Sequence, residues 1–451
     1  MKKAFSACFA VLWAVFLFAA CAKTSGDAQN ASPFFADASV SLPAEASALS
    51  PADAAAPSPA APREQTNNIR FIQQAYPLGD GNGNGYYMFQ YREDASCNIK
   101  YIDYGTQQEI VLCSRPECTH DNETCSAWRP YCGSTGSVIP IGDTLYLMYW
   151  GAHLPADVEQ YGENALPHIE KAWLDGTHAQ PLTHFSPNEN FTGGLAYDDQ
   201  YIYAAIVTTQ KRSDGETETF YRIASISRSD GALSYSGRFD EMNLCIEGAA
   251  GNHLLLSYYG TAGVSSLEEL RKIYALYDPV RGSFTPVDPG STDGHSCMAY
   301  NGNLLVLDKT AYDLKMISIA TGEPVHDVMH LNVPRTNDIT LAYGCGDLLI
   351  VYTYPDDQPM TPYLFSLSEQ TAYPILLPLQ TDAAQSKHHK IHILARYGEK
   401  YLVTPSVSYD NIAVPGASTT LPAPEYTFAF LSKEDLLQGN ANYSAITKTD
   451  G

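Results

Sequence analysis

Five cysteines lie close together in the first third of the chain, with one histidine among them. Their densest part is the run Cys113-x4-Cys118-x-His120-x4-Cys125-x6-Cys132, and Cys97 precedes it. Two chemistries fit these residues. One is a set of disulfides that stiffens a long loop with no apolar core of its own. The other is a tetrahedral zinc site that uses Cys113, Cys118, His120 and Cys125.

The disulfide interpretation is favoured here, because the spacing matches no standard zinc module and thiolates must stay reduced to bind a metal. Cys97 begins one predicted strand and Cys113 ends the next, with a turn near Gly105. We therefore expect Cys97 and Cys113 to face each other across this hairpin. Cys118, Cys125 and Cys132 are the further disulfide candidates. No cofactor is expected, and structural zinc is the alternative.

Aromatic and acidic residues on predicted loops form the second candidate site. Aromatic rings stack on the apolar side of a sugar, and carboxylates accept hydrogen bonds from its hydroxyl groups. The ligand-binding candidates are Tyr149, Trp150, His153, Tyr258, Tyr259, Tyr354, Asp356 and Asp357. We expect them to surround a concave, aromatic-lined site for a carbohydrate or a protein.

A glycine-rich segment is the third candidate. Asp80-Gly81-Asn82-Gly83-Asn84-Gly85 matches the first half of an EF-hand loop, but Tyr91 stands where the loop needs a bidentate acid. A hairpin turn is the favoured interpretation, with calcium as the alternative. The sequence contains no nucleophile elbow, no zincin helix, no phosphate-binding loop and no dinucleotide fingerprint. No catalytic residue is assigned, and a non-enzymatic role is favoured.

Composition excludes other classes of function. The chain has 451 residues, with 27 Lys and Arg against 50 Asp and Glu, which gives a net charge of −23. Such a surface repels phosphate backbones, so nucleic acid is not an expected partner. Hydrophobic residues make up 45% of the chain, which is enough for a large core.

An internal repeat predicts the fold that must position these residues. A short turn rich in Gly, Asp and Asn is followed by one residue and an apolar pair, and further alternating strands follow each copy. The copies begin at Asn84, Asp143, Asp199, Asn252, Gly302, Gly346 and Glu399. Four strands in about 50 residues are typical of a β-propeller blade. The sequence predicts an all-β propeller of seven four-stranded blades, with six or eight as the margin.

Loop lengths predict which face carries a site. In each blade, strands A to D run from the centre outwards, and the A–B and C–D turns are short. The B–C and D–A connections share the opposite face, and several are long: 151–168, 208–219, 260–271 and 410–425 for B–C, and 113–132 for D–A. We call the face with the A–B and C–D turns the turn face, and the face with the B–C and D–A connections the loop face. Function concentrates on long loops held by a rigid scaffold.

The N-terminus carries an export signal. Met1-Lys2-Lys3 is basic, residues 4–20 are apolar or small, and Cys21 follows Ala19-Ala20. The segment resembles a bacterial lipoprotein signal, which implies that Cys21 is acylated with palmitate-like chains and anchors the protein in the cell membrane. Residues 21–66, rich in Ala, Ser and Pro, predict a disordered tether. The domains expected are a signal peptide at 1–20, the lipidated tether at 21–66 and the propeller at 67–451.

The cysteine loop extends this resemblance. Val111-Leu112-Cys113-Ser114-Arg115-Pro116-Glu117-Cys118-Thr119-His120, behind such a signal and before propeller-like repeats, resembles a group of bacterial surface lipoproteins. Their propeller domains are similar to those of the TolB and LDL-receptor types. The resemblance implies a location on the extracytoplasmic side of the membrane. It implies no known reaction.

Together these features predict a membrane-anchored binding lipoprotein whose loop face holds a carbohydrate or a protein. Two alternatives remain open. One is a propeller glycan hydrolase or lyase, which needs two carboxyl groups about 5 to 10 Å apart across a sugar. The other is a scaffolding subunit of a cell-envelope complex.

Overall fold

The computed structural model describes residues 68–72, 79–92, 94–132, 136–151, 155–260, 270–287, 294–325, 328–356, 359–381, 389–413 and 420–449. The predicted signal peptide, the predicted lipidation site Cys21, the predicted tether up to residue 66, and the site candidates His153 and Asp357 lie outside the described residues. The described residues are almost entirely β-strand, with two short helices.

Seven successive sheets form the blades of a propeller. Blade 1 consists of β2 (Gly79–Gly81), β3 (Gly85–Tyr91), β4 (Cys97–Asp103) and β5 (Gln108–Val111), with β6 (Trp128–Arg129) beside β4. Blade 2 consists of β7 (Gly136–Ile141), β8 (Thr144–Tyr149), β9 (His168–Trp173) and β10 (Gln180–His184). Blade 3 consists of β11 (Glu189–Tyr197), β12 (Tyr201–Lys211), β13 (Thr217–Ser227) and β14 (Leu233–Tyr235).

The remaining four blades repeat this order. Blade 4 consists of β15 (Met242–Ala250), β16 (His253–Gly260), β17 (Arg271–Asp278) and β18 (Ser283–Val287). Blade 5 consists of β19 (His295–Tyr300), β20 (Asn303–Asp308), β21 (Asp313–Ser318) and β22 (Met329–His330). Blade 6 consists of β23 (Asp338–Cys345), β24 (Leu348–Tyr354), β25 (Thr361–Ser366) and β26 (Thr371–Pro374). Blade 7 consists of β28 (His392–Tyr397), β29 (Lys400–Ala413), β30 (Thr420–Ser432) and β31 (Ser444–Ala445), with β27 (Gln380–Thr381) paired to β29.

The predicted fold and blade number are confirmed. Each copy of the sequence repeat lies at an A–B turn, and its apolar pair lies in strand B. In blade 2, for example, the turn at 142–143 joins β7 to β8, where Leu145 and Tyr146 are both buried. Because neighbouring residues of a strand point to opposite faces, such a pair buries one side chain on each side of the blade.

Hydrophobic clusters fill all seven interfaces between blades. Leu145 and Leu147 pack towards blade 1, whereas Tyr146 and Met148 pack towards blade 3. The same arrangement continues around the ring, and one cluster joins blade 7 to blade 1 through residues such as Phe430 and Tyr86. The core is therefore a closed circle of interfaces, each shared by two sheets.

The C-terminal strand closes the ring from outside. After β31, the chain forms β32 (Thr447–Thr449), which pairs in parallel with β5 at the outer edge of blade 1. The amide of Thr447 donates to the carbonyl of Gln107, and Ile446 packs into the cluster between blades 7 and 1. The C-terminal segment thus links blade 7 to blade 1.

The N-terminal strand lies inside the ring. β1 (Arg70–Ile72) pairs antiparallel with β11, the innermost strand of blade 3, so that Arg70 faces Tyr197 and Ile72 faces Leu195. The amide of Ile69 donates to the carbonyl of Gly251 at the A–B turn of blade 4, and Ile69 is buried. The described chain therefore enters the central channel from the turn face.

Two predicted loops are largely strand instead. The segment 208–219 continues the ladder of blade 3, with Thr209 opposite Thr219 and Lys211 opposite Thr217. In the segment 410–425, β29 continues to Ala413 and β30 begins at Thr420, which pair with each other. Cross-strand pairing extends both hairpins, although in blade 3 Thr209, Gln210 and Lys211 are polar and exposed.

The two helices occupy connections. The first, α1 (Pro155–Tyr161), is followed by a 3-10 turn at Gly162–Ala165 in the B–C connection of blade 2. The second, α2 (Lys433–Gln438), lies between β30 and β31, where Ser432 caps its N-terminus and Gly439 adopts φ 74° at its C-terminus. No helix in the described part of the chain is long and apolar enough to cross a membrane.

Removing residues 444–451 should destabilise the propeller by about 3 kcal/mol or more, because it removes several ladder hydrogen bonds and the apolar contacts of the half-buried Ile446. Urea unfolding measures the difference. A chain that lacks only Asp450 and Gly451 is the matched control and should unfold like the intact protein. Equal midpoints for the two truncations would contradict the closing role of β32.

Candidate functional site

The predicted aromatic residues of blade 2 are packing residues. Tyr149 is 2% exposed, its ring is stacked on His168 with a centroid distance of 4.2 Å, and its hydroxyl lies 3.3 Å from Glu170. Trp150 packs edge-on against Phe191 at 5.7 Å. Tyr149 therefore does not present a free aromatic face, so the stacking role predicted for it is wrong. A ligand contact by the half-buried Trp150 stays a prediction.

The candidates on the other blades remain closer to solvent. Tyr258 and Tyr259 are half-buried at the loop-face end of blade 4, Tyr354 is half-buried on blade 6, and Asp356 is exposed and bonded to Asn337. These residues and those of blade 2 belong to alternate blades, so a whole blade separates each group from the next. The fold does not bring them together into one small pocket.

Blade 4 carries two apolar neighbours that the sequence analysis did not identify. Met242 is 42% exposed and pairs with Tyr259, and Ile273 is 37% exposed and pairs with Tyr258. We call Met242, Tyr258, Tyr259 and Ile273 the blade 4 rim. In the sequence each looks like an ordinary apolar strand residue. Its exposure follows from its place at the loop-face end of blade 4, where the neighbouring blades no longer cover it.

The cysteine loop forms a compact cluster of possible metal ligands. The ligand atoms of Cys113, Cys118, His120 and Cys125 all lie within 4.8 Å of one another. His120 Nδ1 is 3.3 Å from Cys125 Sγ, whereas its buried Nε2 has no hydrogen-bond partner among the described residues. Glu117 and His120 adopt positive φ angles of 55° and 53°, which bend the chain so that the four side chains converge.

Hydrogen bonds favour the thiolate of Cys118, whereas burial opposes that of Cys125. The backbone N–H of His120 is the main cause that lowers the pKa of the Cys118 thiol to about 7, and Arg115 donates to the same sulfur at 3.2 Å. Burial raises the pKa of Cys125 to about 11, although the amides of Ala127 and Trp128 donate to its sulfur. Burial also lowers the pKa of His120, which favours the neutral imidazole that metals bind.

The predicted pairing of Cys97 with Cys113 is wrong by one residue of register. Lys100 lies opposite Val111, so an extended β5 would place Cys113 opposite Asn98. Strand β6 takes the place beside Cys97, which pairs with Arg129. Cys97 instead contacts Cys132, whose pKa is raised first by burial and then by the neighbouring Cys97 thiol. Disulfide formation at the candidate cysteines stays a prediction, and Cys132 is the neighbour that the structure gives to Cys97.

A cavity of about 320 Å³ opens at the turn-face end of the channel, between blades 1, 5, 6 and 7. Asp80 lines it, and burial raises the pKa of this carboxyl to about 7. Tyr104 also lines it with a side chain 2% exposed, and its buried hydroxyl has no partner among the described residues. A cavity with a protonatable acid and an orphan phenol suits a small polar molecule or ordered water.

The glycine-rich segment is a hairpin turn, as predicted. It joins β2 to β3, and Asn82 Oδ1 accepts hydrogen bonds from the amides of Asn84 and Gly85. Asp80 Oδ1 accepts the amide of Gly81. Backbone amides therefore use oxygens that a calcium ion would need.

No family model matches the chain, and a search of curated proteins found no relative. Solved structures resemble it at low identity. A prolyl endopeptidase is 10% identical with a TM-score of 0.42; the match covers 81% of this chain and 47% of that one, so this chain spans about half its length. A puromycin hydrolase mutant is 12% identical with a TM-score of 0.41, covering 84% and 53%. TolB from Acinetobacter baumannii is 10% identical with a TM-score of 0.32, covering 75% and 79%. At this level, the neighbours assign no activity to the chain.

Asp80→Asn should stabilise the protein at pH 8 by about 1–3 kcal/mol and change little at pH 4. The folded pKa of about 7 lies above the unfolded value of 3.8, so the native state loses stability as pH rises through this range and the carboxyl ionises. Thermal unfolding at both pH values measures the effect. Asp143→Asn, in the exposed A–B turn of blade 2, is the control and should show no such difference. Equal stability of Asp80→Asn and the native chain at pH 8 would contradict a buried acid.

Proposed function

We propose that this chain is a lipid-anchored, extracytoplasmic binding protein that holds a protein partner on the loop face of its propeller. The observation that carries the proposal is the blade 4 rim, an exposed apolar surface on the face opposite the entry of the N-terminal chain. The anchor itself rests on the sequence of residues 1–21.

The direction of entry determines which face is available. Ile69 and Arg70 lie at the turn face, where the chain enters the channel. The described chain therefore joins the ring at its turn face, starting from residue 68. We propose that an anchor at Cys21 connects through this end, with the turn face towards the membrane. The loop face would then point away from the lipid and towards partners.

Exposed apolar side chains favour a protein as the partner. Met242 lies beside Tyr259 on one side of blade 4, and Ile273 lies beside Tyr258 on the other, so the two pairs border the loop-face end of the blade from both sides. Aromatic and methionine side chains are enriched at the centres of protein interfaces. The extended B–C hairpins of blades 3 and 7 rise from the same face, and Tyr409 on β29 is 51% exposed. Such projections suit a broad interface better than a pocket for a single sugar.

The alternatives have less support. The sugar platform predicted on blade 2 has less support, because Tyr149 is buried and Trp150 packs edge-on against Phe191. A glycan hydrolase needs two carboxyl groups across the substrate. Asp80 is the carboxyl with a raised pKa in the part of the chain that the structure describes, and no second acid lines its cavity.

To test the proposal, a photo-crosslinking amino acid replaces Tyr259 in the full chain, expressed in cells that make the protein naturally. It should link to one protein, identified by mass spectrometry, whereas the same residue at Trp173 should not. Trp173 is 56% exposed at the C–D turn of blade 2, on the turn face, and is therefore a matched control.

Binding to the identified partner should then weaken by about tenfold or more in Met242→Asp and in Ile273→Asp. Trp173→Ala should bind normally, and all three variants should keep their melting temperature because the residues are exposed. Crosslinks from the Trp173 position alone would place the interface on the turn face and contradict the proposal. A glycan-array signal that Tyr259→Ala removes would replace the protein partner with a carbohydrate, and turnover of any glycan would show an enzyme.

A further inference from the structure

The loop at 112–132 connects blade 1 to blade 2 across the loop face, and its four-ligand cluster lies outside the binding surface proposed above. The cluster residues come from a single connection of irregular structure, with β6 as its short strand. Such a loop has few ladder hydrogen bonds to fix it. Backbone pairing alone therefore does not explain why three sulfurs and one imidazole lie so close together.

The distances fit a tetrahedral metal ion. Zinc bonds of about 2.3 Å to sulfur and about 2.0 Å to nitrogen place neighbouring ligand atoms roughly 3.5–3.8 Å apart. The four ligand atoms lie within 4.8 Å of one another, and the Nδ1 to Sγ distance between His120 and Cys125 is 3.3 Å. Small adjustments of side-chain torsions would bring all four to coordination distance of one centre.

The imidazole of His120 supplies an independent observation. The ring is buried, and Nδ1, the nitrogen nearest the sulfurs, lies 3.3 Å from Cys125 Sγ. Buried polar atoms are normally satisfied, and a thiol is a poor hydrogen-bond partner. A metal ion bound to this ring would account for its position.

The number of cysteines favours a metal over disulfides. Cys97 contacts Cys132, which leaves Cys113, Cys118 and Cys125 as a group of three. Three thiols cannot all pair with one another, whereas three thiolates and one imidazole make a complete ligand set for zinc. The guanidinium of Arg115, 3.2 Å from Cys118 Sγ, would offset the single negative charge of such a site.

We propose that Cys113, Cys118, His120 and Cys125 bind one structural zinc ion. The ion would fix the loop that connects blades 1 and 2. The same loop already contacts both: Ile99 of blade 1 donates its amide to the carbonyl of Ala127, and Arg129 forms a 2.9 Å ion pair with Glu170 of blade 2. Tyr131 also packs on Tyr161 of α1, with ring centroids 4.6 Å apart. The zinc site would thus make this part of the loop face rigid.

Metal analysis and thiol mapping of the full chain, purified without chelators, test this assignment. Elemental analysis should find one zinc per chain. Alkylation under denaturing conditions with a chelator, followed by mass spectrometry, should find all three cluster cysteines as free thiols. A disulfide that involves any of them would overturn the proposal, as would the absence of stoichiometric metal after dialysis against zinc.

Variants separate ligation from folding. Cys118→Ser should lose the metal and lower the melting temperature by several degrees, whereas Cys245→Ser, a thiol of blade 4, should keep one zinc. His120→Cys replaces the imidazole ligand with a thiolate and should keep the metal, which tests the ligand set even if Cys118→Ser does not fold. Cobalt bound to the native chain should show the intense visible bands of a tetrahedral thiolate site, and these bands should shift in His120→Cys. Full zinc in Cys118→Ser, or an unchanged cobalt spectrum in His120→Cys, would overturn the ligand set.

Discussion

The propeller depends on one packing constraint: consecutive residues of each B strand must be apolar, because they face two different interfaces. Leu254 and Leu256 pack between blades 3 and 4, while Leu255 between them packs between blades 4 and 5. Each blade therefore stabilises both of its neighbours, because each of its two sheet faces packs against the adjacent blade. A polar substitution at such a position would disturb two interfaces through the shared strand.

This constraint explains which parts of the fold could be predicted from the sequence. An apolar pair after a polar turn recurs seven times, so the blade number follows from the repeat. The sequence of the extended hairpin in blade 3 has no such apolar pattern, because Thr209, Gln210 and Lys211 are exposed and polar like loop residues. Their strand conformation depends on cross-strand partners, which local patterns do not reveal.

The candidate sites show a similar limit. The spacing of Cys113, Cys118, His120 and Cys125 suggested a ligand set, but their convergence depends on backbone bends at Glu117 and His120 that no residue type signals. The cavity beside Asp80 exists because blades 1, 5, 6 and 7 meet at the channel, far apart in sequence. Tyr149 has an aromatic side chain at the end of a strand, yet the neighbouring blade still covers it.

The position of β1 affects how the molecule would respond to tension. A pull on the chain before Asn68 acts along β1, while the hydrogen bonds to β11 lie across it, so several bonds share the load at once instead of breaking in sequence. The buried side chains of Ile69 and Ile72 would also have to leave their interfaces. Force applied at residue 68 would thus enter the ring at the innermost strand of blade 3 and the A–B turn of blade 4, inside the circle of blades and not at its outer edge.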